Sequence, residues 1–272
     1  MPEIAEVETV RKRLKKEVLN KKIKDIRIIY NKTIINDIDS FKNSLINEEF
    51  IDIKRTGKYL LFETKNKYLI SHLRMEGRYY LKNSNLPVLK HEHVIFDFSD
   101  GSSMRYVDTR KFGRMELINK EELINHPTIS KLGIEPNDPL LTKEYLYNKI
   151  NKKNISIKTL LLDQTIILGL GNIYANEVLF KSGIDPTRLG SSITLDECKS
   201  IIDSTNIIIK EAIKDGGTTI HSFESGLGIT GNYQDKLLVH GHEKSPCPNC
   251  QTSIIKIKVN GRGTYYCPNC QK

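Results

Sequence analysis

The chain has 272 residues, of which 38% are hydrophobic and 28% charged, a composition that fits a soluble globular protein. At about 100 to 200 residues per domain, this length predicts about two domains. The 42 Lys and Arg residues outnumber the 33 Asp and Glu residues, and the resulting net charge of +9 favours a polyanionic partner: DNA, RNA or an anionic membrane. No run approaches the roughly 18 apolar residues that a membrane-spanning helix needs.

The N-terminal segment lacks the apolar core and the small-residue cleavage site of a secretory signal. Of the five cysteines, four form two C-x2-C pairs, which in an intracellular chain indicate a metal site rather than disulfides. We therefore expect a cytoplasmic protein.

The first predicted element is a helix over residues 3–19, with Pro2 suited to its first turn. Five apolar residues recur there at near-helical spacing: Ile4, Val7, Val10, Leu14 and Val18. From about residue 23 to residue 118 the pattern changes to short alternating runs separated by turn signals such as Asp100-Gly101. This half predicts an antiparallel sandwich or barrel.

Prolines and glycine interrupt residues 119–141, where we place a domain boundary. Helices are predicted beyond it near residues 142–150, 155–165, 172–182 and 195–214. The last is the clearest, because Thr194 and Glu197 form a capping-box pattern ahead of an apolar stripe. Cys198 lies on that stripe and is interpreted as a buried core thiol.

The C-terminal pattern is C-x2-C, sixteen residues, then C-x2-C, formed by Cys247, Cys250, Cys267 and Cys270. Four thiolates at this spacing can close a tetrahedron around one Zn²⁺. The alternatives are a disulfide pair or a redox motif, which the duplicated spacing disfavours. Since four protein ligands leave no open coordination position, we predict a structural zinc ion and expect the chemistry elsewhere.

Two strand-like runs between the cysteine pairs meet at Asn260-Gly261. Arg262 stands there between two glycines, which lets the backbone approach a phosphate while the guanidinium binds it; a loose surface arginine is the alternative. His240 and His242, just upstream, could compete as zinc ligands, but packing or phosphate contact is favoured.

Two further patterns are weaker. Residues 226–231 match G-x-G-x-x-G, but no βαβ unit surrounds them, so we interpret the stretch as a mobile loop. His91 and His93 would share one face of a strand and could chelate a metal, yet no third ligand is in view and sheet-surface histidines are favoured.

At the N-terminus, removal of Met1 would leave Pro2 with a secondary amine at the positive end of a helix. That field lowers the pKa of the amine and raises its nucleophilic fraction. Glu3 stands beside it, although a carboxylate in a first helical turn usually only complements the helix dipole.

Five segments in colinear order resemble formamidopyrimidine-DNA glycosylase. They are PEIAEVET at 2–9, SHLRMEG at 71–77, DTRKFGRMEL at 108–117, GLGNIYANEVLF at 169–180 and GRGTYYCPNC at 261–270. The resemblance implies an α+β protein with an N-terminal β-sandwich (1–130), a helix-two-turn-helix domain (131–238) and a zinc finger (239–272). It also implies a monomeric base-excision enzyme of the bacterial nucleoid that acts on double-stranded DNA containing oxidised bases.

By this resemblance, the Pro2 nitrogen attacks the sugar carbon of the damaged nucleotide, Glu3 transfers protons during ring opening, and Lys58 holds the adjacent phosphate. His72, Asn172 and Arg262 match phosphate-binding positions. The family usually has proline where this chain has Ala5, and because alanine is a strong helix former we expect catalysis to survive.

The resemblance also supplies a wedge for base extrusion: Met75 fills the vacated space, Phe112 splits the adjacent step, and Arg110 contacts the orphaned cytosine. These residues favour oxidised purines, such as 8-oxoguanine and formamidopyrimidines, as substrates. The alternatives are a glycosylase for oxidised pyrimidines in the same superfamily and a zinc-ribbon nucleic-acid binder without catalysis.

Overall fold

A computed structural model describes residues 1–218 and 231–272, so the predicted loop at residues 226–231 lies almost wholly outside the described residues. The chain forms two compact units. The sandwich unit comprises Met1–Ser130 and Gly216–Gly231, and the helical unit comprises Lys131–Asp215 and Asn232–Lys272. No described helix has the length and apolar character that crossing a membrane requires.

Among the described residues of the sandwich unit, eight strands form two antiparallel sheets, with strand orders β1-β6-β7-β5 and β2-β3-β4-β8. The strands are β1 Ile23–Ile28, β2 Asp52–Thr56, β3 Tyr59–Glu63, β4 Lys67–His72, β5 Arg78–Asn83, β6 Glu92–Phe98, β7 Ser102–Val107 and β8 Arg114–Asn119. Their inward side chains share one core that includes Phe50, Phe62, Tyr79 and Phe96. The predicted antiparallel sandwich is confirmed.

Helix α1 (Ile4–Val18) buries the apolar face predicted from its spacing, and Val7, Leu14 and Val18 are each fully buried in the sandwich core. Burying such a side chain stabilises the fold by about 1.5–3 kcal/mol. The helix begins at Ile4 with Glu3 as its N-cap, so the expected place of Pro2 in the first turn is wrong: the proline precedes the cap.

Charged groups also join α1 to the neighbouring strand. The Glu8 carboxylate accepts hydrogen bonds from Arg11 at 2.7 Å and from Arg55 of β2 at 3.0 Å. Burial alone would raise the pKa of Glu8, but the hydrogen bonds from these two guanidinium groups hold it below its ordinary value. The contact fixes the helix that carries the chain terminus.

Two local features of this unit differ from the sequence interpretation. Helix α2 (Ile38–Leu45) was not among the predicted elements; its N-cap Asp37 accepts the Ser40 N–H at 2.9 Å, and Phe41 and Leu45 are fully buried. His91 and His93 do not share a strand face, because His91 precedes β6 with φ +71° and the register shifts at the start of that strand. His93 is buried rather than on the sheet surface.

The helical unit contains the four predicted helices and the C-terminal hairpin. Its elements are α3 Lys143–Ile150, α4 Ile157–Leu162, α5 Asn172–Lys181, α6 Leu195–Lys214, β9 Ile255–Val259 and β10 Arg262–Tyr266. The Thr194–Glu197 capping box opens α6, with the Glu197 amide 3.2 Å from the threonine hydroxyl. Cys198 is fully buried, and burial raises the pKa of its thiol to about 12, as expected for an inert core residue.

Candidate active site and nucleic-acid interface

The residues that follow Met1 lie in a buried polar setting on the sandwich unit. Pro2 and Glu3 are buried, and the Glu3 N–H donates to Glu6 Oε2 at 2.8 Å. The other oxygen of Glu6 accepts from the backbone N–H of Thr218 at 2.7 Å and from its hydroxyl at 3.0 Å. Glu6 therefore ties the start of α1 to residues that follow α6 in the chain, a role that the sequence motif alone did not indicate.

The pKa of the N-terminal amine is lowered, chiefly because burial disfavours the ammonium form. The carboxylates of Glu3 and Glu6 act in the opposite direction, and the charge of Lys58 lowers the pKa further. This amine belongs to Met1, next to the buried Pro2, so the lowered pKa predicted for the Pro2 nitrogen after removal of Met1 stays a prediction.

Lys58 occupies the two-residue turn between β2 and β3, where Thr56 pairs with Tyr59 and Gly57 adopts φ +56°. That left-handed conformation suits glycine and lets the strands connect tightly. Lys58 is only 4% exposed, and its charge acts on the N-terminal amine. The structure thus brings Pro2, Glu3 and Lys58 together on one unit.

His72 ends β4 and is held in one orientation. Its Nδ1 accepts the backbone N–H of Arg74 at 2.9 Å, and its ring packs edge-on against Tyr59 at 4.5 Å between centroids. Burial, followed by the charges of Arg74 and Lys58, lowers the pKa of His72 to about 3. The ring is therefore neutral near pH 7 with its proton on Nε2, and it can offer a phosphate a neutral N–H donor.

The three predicted wedge residues lie on two loops of the sandwich unit. Met75 is half-buried in the β4–β5 loop, while Arg110 and Phe112 are exposed in the β7–β8 loop. The Arg110 guanidinium lies 4.9 Å from the Phe112 ring centroid, a cation–π distance. Thr109 donates a hydrogen bond to Glu76 and so links the two loops. Exposed apolar and cationic groups in this arrangement are available to a DNA duplex.

In the helical unit, the backbone of the hairpin connects two predicted phosphate contacts. Asn172 begins α5, and its Nδ2 donates to the carbonyl of Gly263 at 3.0 Å. The same carbonyl accepts from Lys158 Nζ at 3.0 Å, and Lys158 also reaches the Thr264 hydroxyl at 2.7 Å. Arg262 is exposed at the first residue of β10. Lys158, which sequence reasoning did not single out, is fully buried beneath this hairpin.

The four cysteines form a compact cluster with all ligand atoms within 4.8 Å of one another. The Sγ atoms of Cys247 and Cys270 are 3.8 Å apart, and those of Cys250 and Cys267 are 3.5 Å apart. These separations are far longer than a disulfide bond of about 2.05 Å. They match the spacing of about 3.8 Å expected between thiolates around a tetrahedral zinc ion with bonds of about 2.3 Å.

The cluster is suited to one structural zinc ion, and the disulfide alternative does not fit it. Its surroundings supply only a small apolar core, made by Phe180, Val239 and Ile254 together with two of the cysteines. His240 packs against Tyr265 at 5.0 Å and hydrogen-bonds Asn176 at 2.7 Å, so it is a packing residue. His242 does not belong to the metal cluster found among the described residues.

Three family models match the chain in the order that the motifs predicted. Residues 1–115 match the formamidopyrimidine-DNA glycosylase N-terminal domain, residues 132–224 match the H2TH domain of the same enzyme, and residues 244–272 match a zinc finger found in FPG and IleRS. The chain belongs to the formamidopyrimidine-DNA glycosylase family. Membership confirms the resemblance, the enzyme class of base-excision glycosylases and the zinc finger.

Relatives and solved structures agree over the whole chain. A formamidopyrimidine-DNA glycosylase of Lactobacillus delbrueckii subsp. bulgaricus is 45% identical over 272 residues and is covered completely, as is this chain. Wild-type Lactococcus lactis Fpg in complex with DNA containing N7-benzyl-Fapy-dG matches with a TM-score of 0.94 and 39% identity over 100% of both chains. The same bacterial enzyme bound to DNA containing an oxidised pyrimidine matches with a TM-score of 0.93 and 38% identity over 100% of both chains.

Proposed function

We propose that this glycosylase excises oxidised purines, including 8-oxoguanine and formamidopyrimidines, from double-stranded DNA and then nicks the abasic site. The observation that supports the proposal is the buried group of Pro2, Glu3 and Lys58 at the start of the chain, where burial lowers the pKa of the terminal amine of Met1. We infer that the same surroundings lower the pKa of the Pro2 nitrogen once Met1 is removed. A lowered pKa leaves more of the amine unprotonated near pH 7, and only that form is nucleophilic.

The chemistry begins when Met1 has been removed and the Pro2 nitrogen is a secondary amine. This nitrogen forms a bond to the sugar C1′ while the glycosidic bond breaks and its electron pair leaves with the base, and the N–H proton of Pro2 is transferred to the departing base. Glu3 supplies a proton to the ring oxygen as the sugar opens, which gives an iminium between Pro2 and C1′. The cationic iminium acidifies the adjacent carbon, so that β-elimination and then δ-elimination expel the two flanking phosphates.

The DNA contacts are divided between the two units. Lys58 and the neutral His72 are proposed to bind phosphates on the sandwich unit, and Asn172 and Arg262 on the helical unit. Met75, Arg110 and Phe112 are proposed to replace the extruded base. We retain the predicted division into residues 1–130, 131–238 and 239–272, and propose that the enzyme acts as a monomer in the cytoplasm, at the nucleoid.

Borohydride trapping on an 8-oxoguanine duplex tests the catalytic step. Reduction of the iminium should give a covalent protein–DNA adduct from protein without Met1, and no adduct from protein that retains Met1 or carries Pro2→Gly. A non-catalytic zinc-ribbon binder would bind DNA with similar salt sensitivity but would give no adduct from any of the three. Failure of the protein lacking Met1 to form the adduct would reject the proposal.

A second candidate substrate class is oxidised pyrimidines, because the similar Lactococcus lactis enzyme has been solved with DNA containing one. Single-turnover excision from 8-oxoguanine:C and thymine-glycol duplexes separates the two. We expect faster excision of the purine, since Arg110 is proposed to contact the orphaned cytosine. Faster excision of thymine glycol would move the assignment to the pyrimidine class.

A further inference from the structure

The β7–β8 loop, residues 108–113, is built around one buried carboxylate. Asp108 is 1% exposed, and its Oδ1 accepts the N–H of Arg110 at 3.0 Å. Its Oδ2 accepts the N–H of Gly113 at 2.8 Å and the hydroxyl of Tyr106 at 3.3 Å. The side chain therefore fixes the loop on both sides of Phe112, a residue that is 49% exposed.

The backbone of Asp108 is held as firmly as its carboxylate. Its N–H donates to the carbonyl of His91 at 3.1 Å, and its carbonyl accepts the N–H of Lys111 at 3.3 Å. The same carbonyl lies 2.7 Å from Nε2 of the buried His93, which must be the donor because a carbonyl can only accept. His93 therefore stabilises the β7–β8 loop through a hydrogen bond, a structural role that differs from the metal ligation considered in the sequence analysis.

The Tyr106 hydroxyl lies close to the backbone of both the β7–β8 loop and the β4–β5 loop. A Cβ atom added at Gly113 would lie 1.6 Å from the tyrosine oxygen, and one added at Gly77 of the β4–β5 loop would lie 2.4 Å from it. Both loops therefore close on one hydroxyl, which only glycine permits. Burial, followed by the charge of Asp108, raises the pKa of Tyr106 and keeps its hydroxyl protonated as a donor.

We propose that Asp108 is a positioning residue that presets the β7–β8 loop, so that Arg110 and Phe112 enter the DNA stack without a prior ordering step. The inference rests on the proposed wedge role of Phe112. A loop that is already ordered loses little conformational entropy when it binds DNA. The resulting increase in rate is confined to the step in which a base leaves the stack. Cleavage at a site that already lacks its base should depend on Asp108 much less.

The substitution Asp108→Asn tests this role with little change in shape. Both carboxylate oxygens face N–H donors, so an amide in either orientation turns an NH₂ group toward one of them. We expect single-turnover excision from an 8-oxoguanine duplex to slow by about tenfold, the equivalent of one lost charged hydrogen bond. Cleavage of a duplex with a preformed abasic site should slow by less than about twofold, because no base needs to be extruded.

Phe112→Ala and the double variant complete a cycle that isolates the mechanism. If Asp108 acts through the wedge, the loss in the double variant should be clearly smaller than the sum of the losses in the two single variants, with Arg110 accounting for any loss beyond that of Phe112→Ala. Additive losses, equal losses on the lesion and abasic duplexes, or normal excision by Asp108→Asn would each overturn the proposal. An unimpaired Phe112→Ala variant would instead remove the wedge assignment on which the proposal stands, and the proposal with it.

Two controls keep the test interpretable. Asp100→Asn makes the same change in the β6–β7 turn, where the carboxylate accepts the Ser102 N–H at 2.9 Å, and it should excise at the normal rate. Tyr106→Phe removes only one donor to Asp108 and serves if Asp108→Asn does not fold. It should slow excision by about two- to threefold and spare abasic cleavage, and equal effects on both duplexes would contradict the inference.

Discussion

The neutral ring of His72 predicts a pH-dependent loss of stability that one substitution should remove. Burial, with Arg74 and Lys58 adding to it, lowers the pKa of the folded ring from 6.5 to about 3. Below pH 6.5 the His72 ring therefore binds a proton in the unfolded chain but stays unprotonated in the folded chain until the pH approaches 3. Stability is complete above that pH and is lost progressively between about pH 6.5 and pH 3.

The size of the effect follows from the distance below the unfolded pKa. At pH 5 the medium is about 1.5 units below it, and each unit corresponds to about 1.36 kcal/mol, which gives about 2 kcal/mol of lost stability from this one residue. The folded ring stays unprotonated at pH 5, so nothing offsets the loss. His72→Gln cannot titrate and should not show this component.

Urea unfolding of the wild-type protein and His72→Gln at pH 7.5 and pH 5.0 measures the difference. From pH 7.5 to 5.0, the wild-type protein should lose about 2 kcal/mol more than the variant. His240, whose pKa burial lowers to about 4, makes the same loss in both proteins and cancels from the comparison. A difference between the two proteins that is equal at both pH values would refute the burial argument.

Three further predictions concern other sites. Glu8→Gln should destabilise the protein by about 1 kcal/mol at pH 7, because Arg11 and Arg55 lose a screened charged partner. The pKa of Glu8 is lowered from 4.5, so this difference should begin to shrink as the pH falls below about 4.5 and vanish only below the pKa of the folded state, as urea unfolding would show. Arg262→Ala should weaken DNA binding and reduce the slope of log K against log salt by about one, and an unchanged slope would mean no phosphate contact. Cys270→Ala should abolish stoichiometric zinc, measured by metal analysis, and weaken DNA binding with it; full zinc retention would contradict the four-thiolate site.

Local patterns in the sequence predicted most of the elements. The spacing of apolar residues indicated α1, and the Thr194–Glu197 pair marked the start of α6, because both signals act within one or two turns. The spacing of the paired cysteines likewise predicted the cluster that they form. In each case the residues that cooperate lie close together in the sequence or share a characteristic spacing.

The features that escaped prediction depend on residues far apart in the chain. Lys158 meets Thr264 across 106 positions, and Glu6 meets Thr218 across 212. The spacing of residues within a short segment cannot predict contacts between such distant positions. Burial of the N-terminal amine was missed for the same reason, since it results from the folded surroundings rather than from the helix that follows. The motif at residues 108–117 was recognised in the sequence, but the hydrogen bonds of the Asp108 carboxylate depend on the folded loop and could not be predicted from it.

The bond between Glu6 and Thr218 has a consequence for synthesis of the protein. Because Gly216–Gly231 belongs to the sandwich unit, a nascent chain that has emerged only as far as Ser130 lacks a segment of that unit. The ribosome must add the whole stretch Lys131–Asp215 before the acceptor on Glu6 can meet its donors. The chain terminus that is proposed to attack DNA, although it is made first, should reach its final surroundings only late in translation. A fragment that ends at residue 130 should therefore leave it incompletely enclosed.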